Sequence, residues 1–467
     1  MSAAKELTPL NGGELAAIIA DSQGAVNHTI RPVLTLMPEL RVCPPEYTHT
    51  VKIPGRQHVT PQHLIPIIRR ELARSEAVTL YAHIPVCRYH CTFCHYPVVI
   101  SRDPGAATPY VDLIIKEAEL FQAAVPELRD ASVSSLYIGG GTPTVMPARD
   151  IKRLMQYFRS RYRLAPDAEI TIEGNPETFT KEQINTLIGA GINRVSVGVQ
   201  SLEDETLEQC GREHTAAEAL EAIKSLLASG IPKVNVDLLY GLPGRTIGKF
   251  VEDVAQTAAL SPTSITLYRL RLGRSDELPN TGMFKLYQER PESFPSPEET
   301  YAMQIAGRHV LSARGYTERP SGWFSLPHSP IQVYEDRWVR QIPLVAFGWW
   351  TYSYSGVYEY RNSSSRSDYT GMVSRGTLPL QFCTVLGEVE QEARYLGFQL
   401  KSRFAIDPND FQRRFGKDLF NIPKWAGLTN NLSKHGLAAS SRTLIRLTEA
   451  GQVLVEEIIK ELITTAV

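Results

Sequence analysis

Three cysteines crowd into eight residues, Cys87-Arg-Tyr-His-Cys91-Thr-Phe-Cys94. The other three, Cys43, Cys210 and Cys383, are scattered through the chain and read as small buried hydrophobes. Such a triplet is a metal-ligand pattern rather than a disulfide framework. Three thiolates can hold three irons of a four-iron four-sulfur cluster, leaving the fourth iron open to a small chelating ligand. Zinc would want four ligands, normally from two separated pairs, with His90 or His95 as the fourth here.

A loop of this kind needs a rigid frame. From residue 77 onward, apolar β-rich stretches at 78–84, 133–138, 169–173, 195–199, 233–239 and 264–270 alternate with helical periodicity at 110–124, 150–162, 181–190, 216–229 and 248–260. Strands alternating with helices make βαβ units and a parallel sheet. Six units fall short of the eight in a closed barrel. The expected fold is therefore α/β, an open partial (βα)6 barrel over residues 76–300. Residues 1–75 form an N-terminal extension with an irregular, proline-rich lead-in and a helix at 61–74. Residues 275–300 read as linking. Residues 301–379 are an aromatic-rich extension of the sheet, and 380–467 a mostly helical C-terminal domain with a small wing near 444–447. In such sheets ligands bind at the C-terminal strand ends. Gly139-Gly140-Gly141-Thr142-Pro143, Glu173 and Gln200 fall at those ends, with Arg212 shortly after and Asp237 in the fifth strand.

Bulk composition sets limits. Lys+Arg number 49 against Asp+Glu 50, which leaves no net positive footprint for nucleic acid or anionic membrane. No apolar run reaches the ~18 residues of a membrane span. Residues 1–25 lack a basic start and carry acidic residues, unlike a secretory signal. A cytoplasmic protein is expected.

Together the cysteine spacing, the glycine-rich strand end, Glu173 in Glu-Gly-Asn-Pro-Glu, Gln200 in Gly-Val-Gln-Ser, Arg212 in Gly-Arg-Glu-His and Asp237 in Asp-Leu-Leu-Tyr-Gly-Leu-Pro-Gly resemble the radical S-adenosylmethionine (SAM) superfamily. Within it they resemble the oxygen-independent coproporphyrinogen oxidase (HemN-like) branch. That branch also holds heme chaperones, heme-degrading methyltransferases, and class C methyltransferases and cyclopropanases. The resemblance is strongest over residues 77–275 and returns at Arg446-Leu-Thr-Glu-Ala-Gly451. It implies that Cys87, Cys91 and Cys94 hold a 4Fe-4S cluster that reductively cleaves SAM to a 5'-deoxyadenosyl radical. It also implies one or two bound SAM molecules. Gly140, Gly141 and Thr142 would bind the SAM amino group, Glu173 its ribose or amine, and Arg212 its carboxylate. Gln200 and Asp237 would lie around the sugar or the second SAM, Tyr81 beside the cluster, and Phe93 over the adenine. A flat aromatic substrate, held by the aromatic stretch 316–362 with His328 and Tyr334–Trp338 near the mouth, and a reductant such as flavodoxin or ferredoxin are the implied partners.

Two positions depart from the best-known members. Tyr96 stands where the coproporphyrinogen oxidases carry a further cysteine, and His95 where the chaperones carry an acidic residue. The first reading is accordingly class C methylation or cyclopropanation of an sp2 carbon. The alternatives are coproporphyrinogen III dehydrogenation and a heme chaperone-like role.

Overall fold

The computed structural model of the chain describes residues 11–37, 40, 57–272, 281–327, 329 and 332–464, so Cys43 and His328 lie outside the described residues. Six parallel strands form its centre: β1 Val78–Ile84, β2 Ser132–Gly140, β3 Arg163–Gly174, β4 Arg194–Gln200, β5 Lys233–Tyr240 and β6 Ser264–Arg269. They pair in that order, each parallel to the next. Between and after them run α1 Thr108–Ala124, α2 Ala148–Arg161, α3 Lys181–Gly189, α4 Ala216–Ala228, α5 Ile247–Ala259 and α6 Pro297–Ala313. β1 is buried along nearly its whole length, the signature of a strand covered on both faces. Helix starts are capped in side chain. Thr215 and Ser296 make reciprocal boxes with Glu218 and Glu299, and Thr180 and Thr246 cap singly.

The sheet is larger than six strands. Leu344–Phe347 adds a seventh parallel strand beside β1, with Leu344 opposite Thr79 and Phe347 opposite Ala82. Tyr352–Tyr354, Tyr358–Asn362, Leu380–Val385 and Gln57–Val59 then continue antiparallel on that flank. Trp323–Ser325 and Thr317–Glu318 extend the other flank beyond β6. Among the described residues the sheet has thirteen strands, and its two end strands are not paired to each other. This one sheet crosses two expected boundaries, taking in 57–59 from the N-terminal extension and 380–385 from the C-terminal region.

The lead-in differs from expectation. Gly12–Ala25 is a helix with Asn11 and Glu14 in a capping box, continued by a π turn at Val26–Ile30 and the helix Arg31–Leu36. Pro32 falls in a first helical turn, where its missing N–H is least costly. The first helix lies against α5 and α6. The expected helix at Pro61–Arg74 is present, with Leu64, Ile68 and Leu72 buried. The segment expected to link is also partly helical. Thr281 caps Gly282–Glu289, which buries Met283 and Phe284.

Past Val385, five helices surround a three-stranded sheet of Ala405–Ile406, Ile445–Leu447 and Ala438–Ser440. The last helix, Val455–Thr464, grips the end of β6 by ion pairs. Arg269 meets Glu457 at 2.8 Å and Arg271 meets Glu456 at 2.7 Å. Among the described residues no helix is long and apolar enough to cross a membrane.

Candidate functional site

The cysteine loop leaves β1 at its C-terminal end and is closed by a short parallel pairing of Val86–Cys87 with Val99–Ile100. It is pinned from two further sides. The Thr92 N–H donates to Cys210 O at 3.0 Å, and Thr92 O accepts from the Met283 N–H at 2.9 Å. Cys87, Cys91 and Cys94 are free thiols at intermediate exposure, and each lies within electrostatic reach of the other two. Burial pushes Cys87 up to about 11 and Cys94 up to about 12. Binding a metal must therefore displace protons from these thiols. Two donors already face the sulfurs: Thr142 Oγ1 at 3.4 Å from Cys87 Sγ, and the Arg212 guanidinium at 3.5 Å from Cys91 Sγ.

Three thiolates in one loop, each within electrostatic reach of the other two and with hydrogen-bond donors on two of the sulfurs, fit three corners of an iron–sulfur cube. A cube needs its three thiolates on three separate irons, spread around a face. Arg212 supplies a second sign of fit. It is 9% exposed, and its Nε is buried without a hydrogen-bond partner. Burial opposes its charge, but Cys91 and Tyr89 more than offset this and hold its pKa above the ordinary value.

Arg212 does not stand alone. Its guanidinium donates to Asn175 Oδ1 at 3.1 Å and to Gly198 O, and lies over the Tyr89 ring. Asn175 Nδ2 donates to the Tyr89 hydroxyl at 3.1 Å, and that hydroxyl donates to Glu177 Oε1 at 3.0 Å. His214 faces Glu177 at 3.4 Å. Burial alone would raise Glu177, but His214 and Arg212 outweigh it and bring the carboxyl down to about 2.

At the end of β2 the glycines serve the packing of protein on protein. A Cβ on Gly139 would meet Glu173 Oε2 at 2.7 Å, and one on Gly141 would meet Val86 O at 2.6 Å. Gly140, at φ 115°, faces the His83 ring at 2.7 Å. The missing Cβ atoms let the end of β2 seat against β1, Glu173 and the cysteine loop. Glu173 Oε1 accepts from the Tyr137 hydroxyl at 2.6 Å and Oε2 from the Gly140 N–H at 3.1 Å. Burial pushes its carboxyl up to about 7, and Asp237 adds to this, against the pull of those donors. Asp237 accepts from Ser196 at 2.9 Å and Asn235 at 2.7 Å, and burial raises it as well. Gln200 holds φ 73°, a left-handed conformation uncommon outside glycine.

Tyr81 contacts His83 at 3.2 Å and stacks on Tyr137. Burial takes His83 down to about 4, and its Nε2 is buried without a partner. Phe93 packs on the small core of Cys210, Leu239, Leu242, Leu270, Leu272 and Met283.

The helix Val333–Arg340 packs against the middle of the strands. The Tyr334 N–H reaches Glu169 Oε1 at 3.4 Å, midway along β3, and the Tyr334 ring lies 4.5 Å from that of Tyr137, whose hydroxyl donates to Glu173. Arg337 is buried over the rings of Tyr334 and Trp338 and donates to the Tyr354 hydroxyl at 3.0 Å. Much of the aromatic stretch is thus core: Tyr358 and Tyr360 are 0% and 1% exposed. His83, Tyr89, Asn175, Glu177 and His214 were missed as site residues. Glu177 and Asn175 lay inside the Glu-Gly-Asn-Pro-Glu motif and Tyr89 between two cysteines, while no spacing rule marks His83 or His214.

Residues 81–256 match the radical SAM superfamily. The chain carries a radical SAM domain, and its relatives are of the HemN-like branch. It is 32% identical to the heme chaperone HemW of Haemophilus influenzae over 245 residues, 52% of this chain and 61% of that protein. It therefore spans less than two thirds of the chaperone's length. It is 27% identical to the anaerobilin synthase of Escherichia coli O157:H7, across 85% of this chain and 89% of that one. The oxygen-independent coproporphyrinogen III oxidase of Pseudomonas aeruginosa is 26% identical over 92% of this chain and 95% of its own. The solved structure of the Escherichia coli coproporphyrinogen III oxidase HemN shares the fold, with a TM-score of 0.76, 23% identity, and coverage of 91% of this chain and 97% of that one. The cofactors of this domain are a 4Fe-4S cluster and SAM.

Proposed function

We propose that this radical SAM enzyme acts on a tetrapyrrole, and that its reaction is the oxidation of a porphyrinogen of the coproporphyrinogen III type. The carrying observation is the near full-length match to an oxygen-independent coproporphyrinogen III oxidase, over a chain whose cysteine loop, Arg212 and Glu173 gather at one end of one parallel sheet. Cys87, Cys91 and Cys94 would hold the cluster, which with SAM supplies a 5'-deoxyadenosyl radical able to take a hydrogen atom from substrate. The chain's own residues supply position. Arg212, fixed by Asn175 and Tyr89, offers a planar fork to the SAM carboxylate. Gly140, Gly141 and Thr142 offer backbone and hydroxyl to the amino group, and Glu173 an acceptor for ribose or amine. Gln200 and Asp237 border the sugar. A flavodoxin or ferredoxin would deliver the electron.

A second reading is favoured by one position. Where the coproporphyrinogen oxidases carry a further cysteine, this chain has Tyr96. That departure supports class C alkylation of a tetrapyrrole, with a second SAM as carbon donor. Anaerobic turnover with coproporphyrinogen III, and separately with hemin, using SAM deuterated at the methyl group separates the two. Carbon dioxide release with deuterium-free 5'-deoxyadenosine supports oxidation. Deuterated 5'-deoxyadenosine with one-carbon growth of the tetrapyrrole replaces it by alkylation. Tight heme binding with no SAM consumption in either case would overturn both in favour of a chaperone-like role.

A further inference from the structure

We infer that Tyr96 and Trp350 form an aromatic wall of the substrate chamber, built to hold the face of a flat macrocycle; this rests on the tetrapyrrole reading above. Tyr96 is 50% exposed. Yet Glu173, Cys94 and Arg271 all lie within electrostatic reach of its hydroxyl, as do Tyr81 and Tyr268 from the barrel strands. The ring is thus open to a ligand while its hydroxyl lies among the groups around the last cysteine of the loop.

Trp350 meets it edge to face, with centroids 6.5 Å apart and planes at 84°. A third flat ring can add to such an edge-to-face pair. The backbone of Trp350 is held at φ 62°, an outlier for a bulky side chain. Residues in such conformations persist where the surroundings over-determine them, and they cluster at ligand sites. The surroundings here do so. Two residues before Trp350, Gly348 follows the end of the seventh parallel strand at φ 120°, with His83 where a Cβ would be. The Gly348 N–H is held by Glu117 at 2.8 Å and its carbonyl by Asn362 at 2.9 Å and Thr351 at 3.0 Å. The neighbouring tryptophan shows the contrast. Trp349 is 9% exposed, donates its indole N–H to Ser364 O at 2.9 Å, and packs with Tyr369 and Val373. Trp350 rests against that same small core but is only partly buried, and its ring meets Tyr96 of the cysteine loop.

The test is an anaerobic titration of the cluster-loaded chain, with SAM present, by hemin and by coproporphyrin III, followed by the tetrapyrrole absorption band. Trp350→Gly removes the indole and suits a left-handed φ, so it takes away the ring without adding backbone strain. It should weaken tetrapyrrole binding by about tenfold or more, while iron content and melting temperature track the wild type. If that variant loses iron, Trp350→Asn, which also tolerates this conformation, is read in its place. Tyr96→Ala should weaken binding similarly, and Tyr96→Phe, which keeps the ring, should not. Wild-type affinity in both Trp350→Gly and Tyr96→Ala overturns the wall and leaves the tetrapyrrole reading standing. Failure of the wild-type chain to bind either probe overturns that reading and the wall with it.

Discussion

Along the parallel centre, strand after strand ends in groups that meet one another. β2 ends in Gly139 and Gly140, β3 in Glu173 and Gly174, and β4 in Gln200; Gly139 faces Glu173, and Gly141, just past β2, meets the loop that leaves β1. Along the antiparallel flank the strand ends meet turns instead. Ser355 closes one by accepting from the N–H groups of Val357 and Tyr358, and the tyrosines between turns go into the core. Both regions are rich in apolar and aromatic residues, yet one concentrates polar groups at a single edge and the other spreads them along its connections. Parallel strands enter from the same side, so their C-terminal ends must gather; antiparallel neighbours alternate, and no edge collects them. The loop 348–350 is the exception, because it follows the seventh parallel strand.

If this division is right, substitutions at the parallel edge should remove chemistry and those on the flank should remove stability. The largest effect is expected at the cysteines. Cys87→Ala, Cys91→Ala or Cys94→Ala should abolish iron loading and the brown thiolate-to-iron absorption. Cys210→Ala and Cys383→Ala, at buried thiols outside the triplet, should retain them. Iron analysis after anaerobic reconstitution checks this.

Next is Arg212→Ala. A hydrogen bond to a charged group contributes about 1.5–3 kcal/mol, so SAM affinity measured by calorimetry should fall by roughly ten- to a hundredfold. Unchanged affinity would take Arg212 out of the site.

On the flank, Glu117 is the sharpest probe. It accepts from the Gly348 N–H, from Asn362 at 2.6 Å and from Tyr369 at 2.8 Å, joining α1 to the added strands. Glu117→Ala strands three buried donors at roughly 1–3 kcal/mol each, not fully additive. Denaturant unfolding should therefore show a loss of about 3 kcal/mol or more. Its protonation gives a gentler test. Burial pushes the carboxyl up to about 8 against those three donors, from an ordinary value of 4.5. The folded chain then keeps a proton that the unfolded chain gives up. That stabilisation is complete below about pH 4.5 and is lost as the pH rises to about 8. The difference in melting temperature between wild type and Glu117→Gln should shift across that window and be flat above it.

The smallest effect belongs to Phe382, 48% exposed on the flank. Phe382→Ser should change stability by no more than about 0.5 kcal/mol.

Much of the parallel centre was legible because burial on both faces gives short continuous apolar runs, and capped helices begin at Thr or Ser. The six strands and five helices between them lie within a few residues of where periodicity puts them, apart from the early start of β3 at Arg163. The seventh parallel strand was hidden, since Leu344–Phe347 looks like any apolar tetrad and its partner is β1. Val333–Arg340 was hidden among aromatics whose richness suggested a pocket, although Arg337 makes them a buried stack. The helix Gly12–Ala25 begins with two glycines and has a weakly sided apolar face. At the site, the cysteines and strand ends carry their own spacing. The chain from His214 through Glu177, Tyr89 and Asn175 to Arg212 exists only through folding, because its members come from three separate loops.

The pairing of β1 with Leu344–Phe347 also bears on the order of events during synthesis. β1 emerges early, but the strand that covers its free edge is made some hundreds of residues later. At ribosomal rates the interval is on the order of tens of seconds. Throughout it a strand that the finished fold buries along nearly its whole length, ending in the cysteine loop, presents an unpaired edge of the sort that recruits other chains. Gln57–Val59 waits longer still, for Leu380–Val385. A ribosome stalled or truncated before residue 344 would release a product with its metal-binding loop made and its neighbouring edge open. Such fragments should aggregate, and co-translational chaperone capture should peak between the synthesis of these two strands.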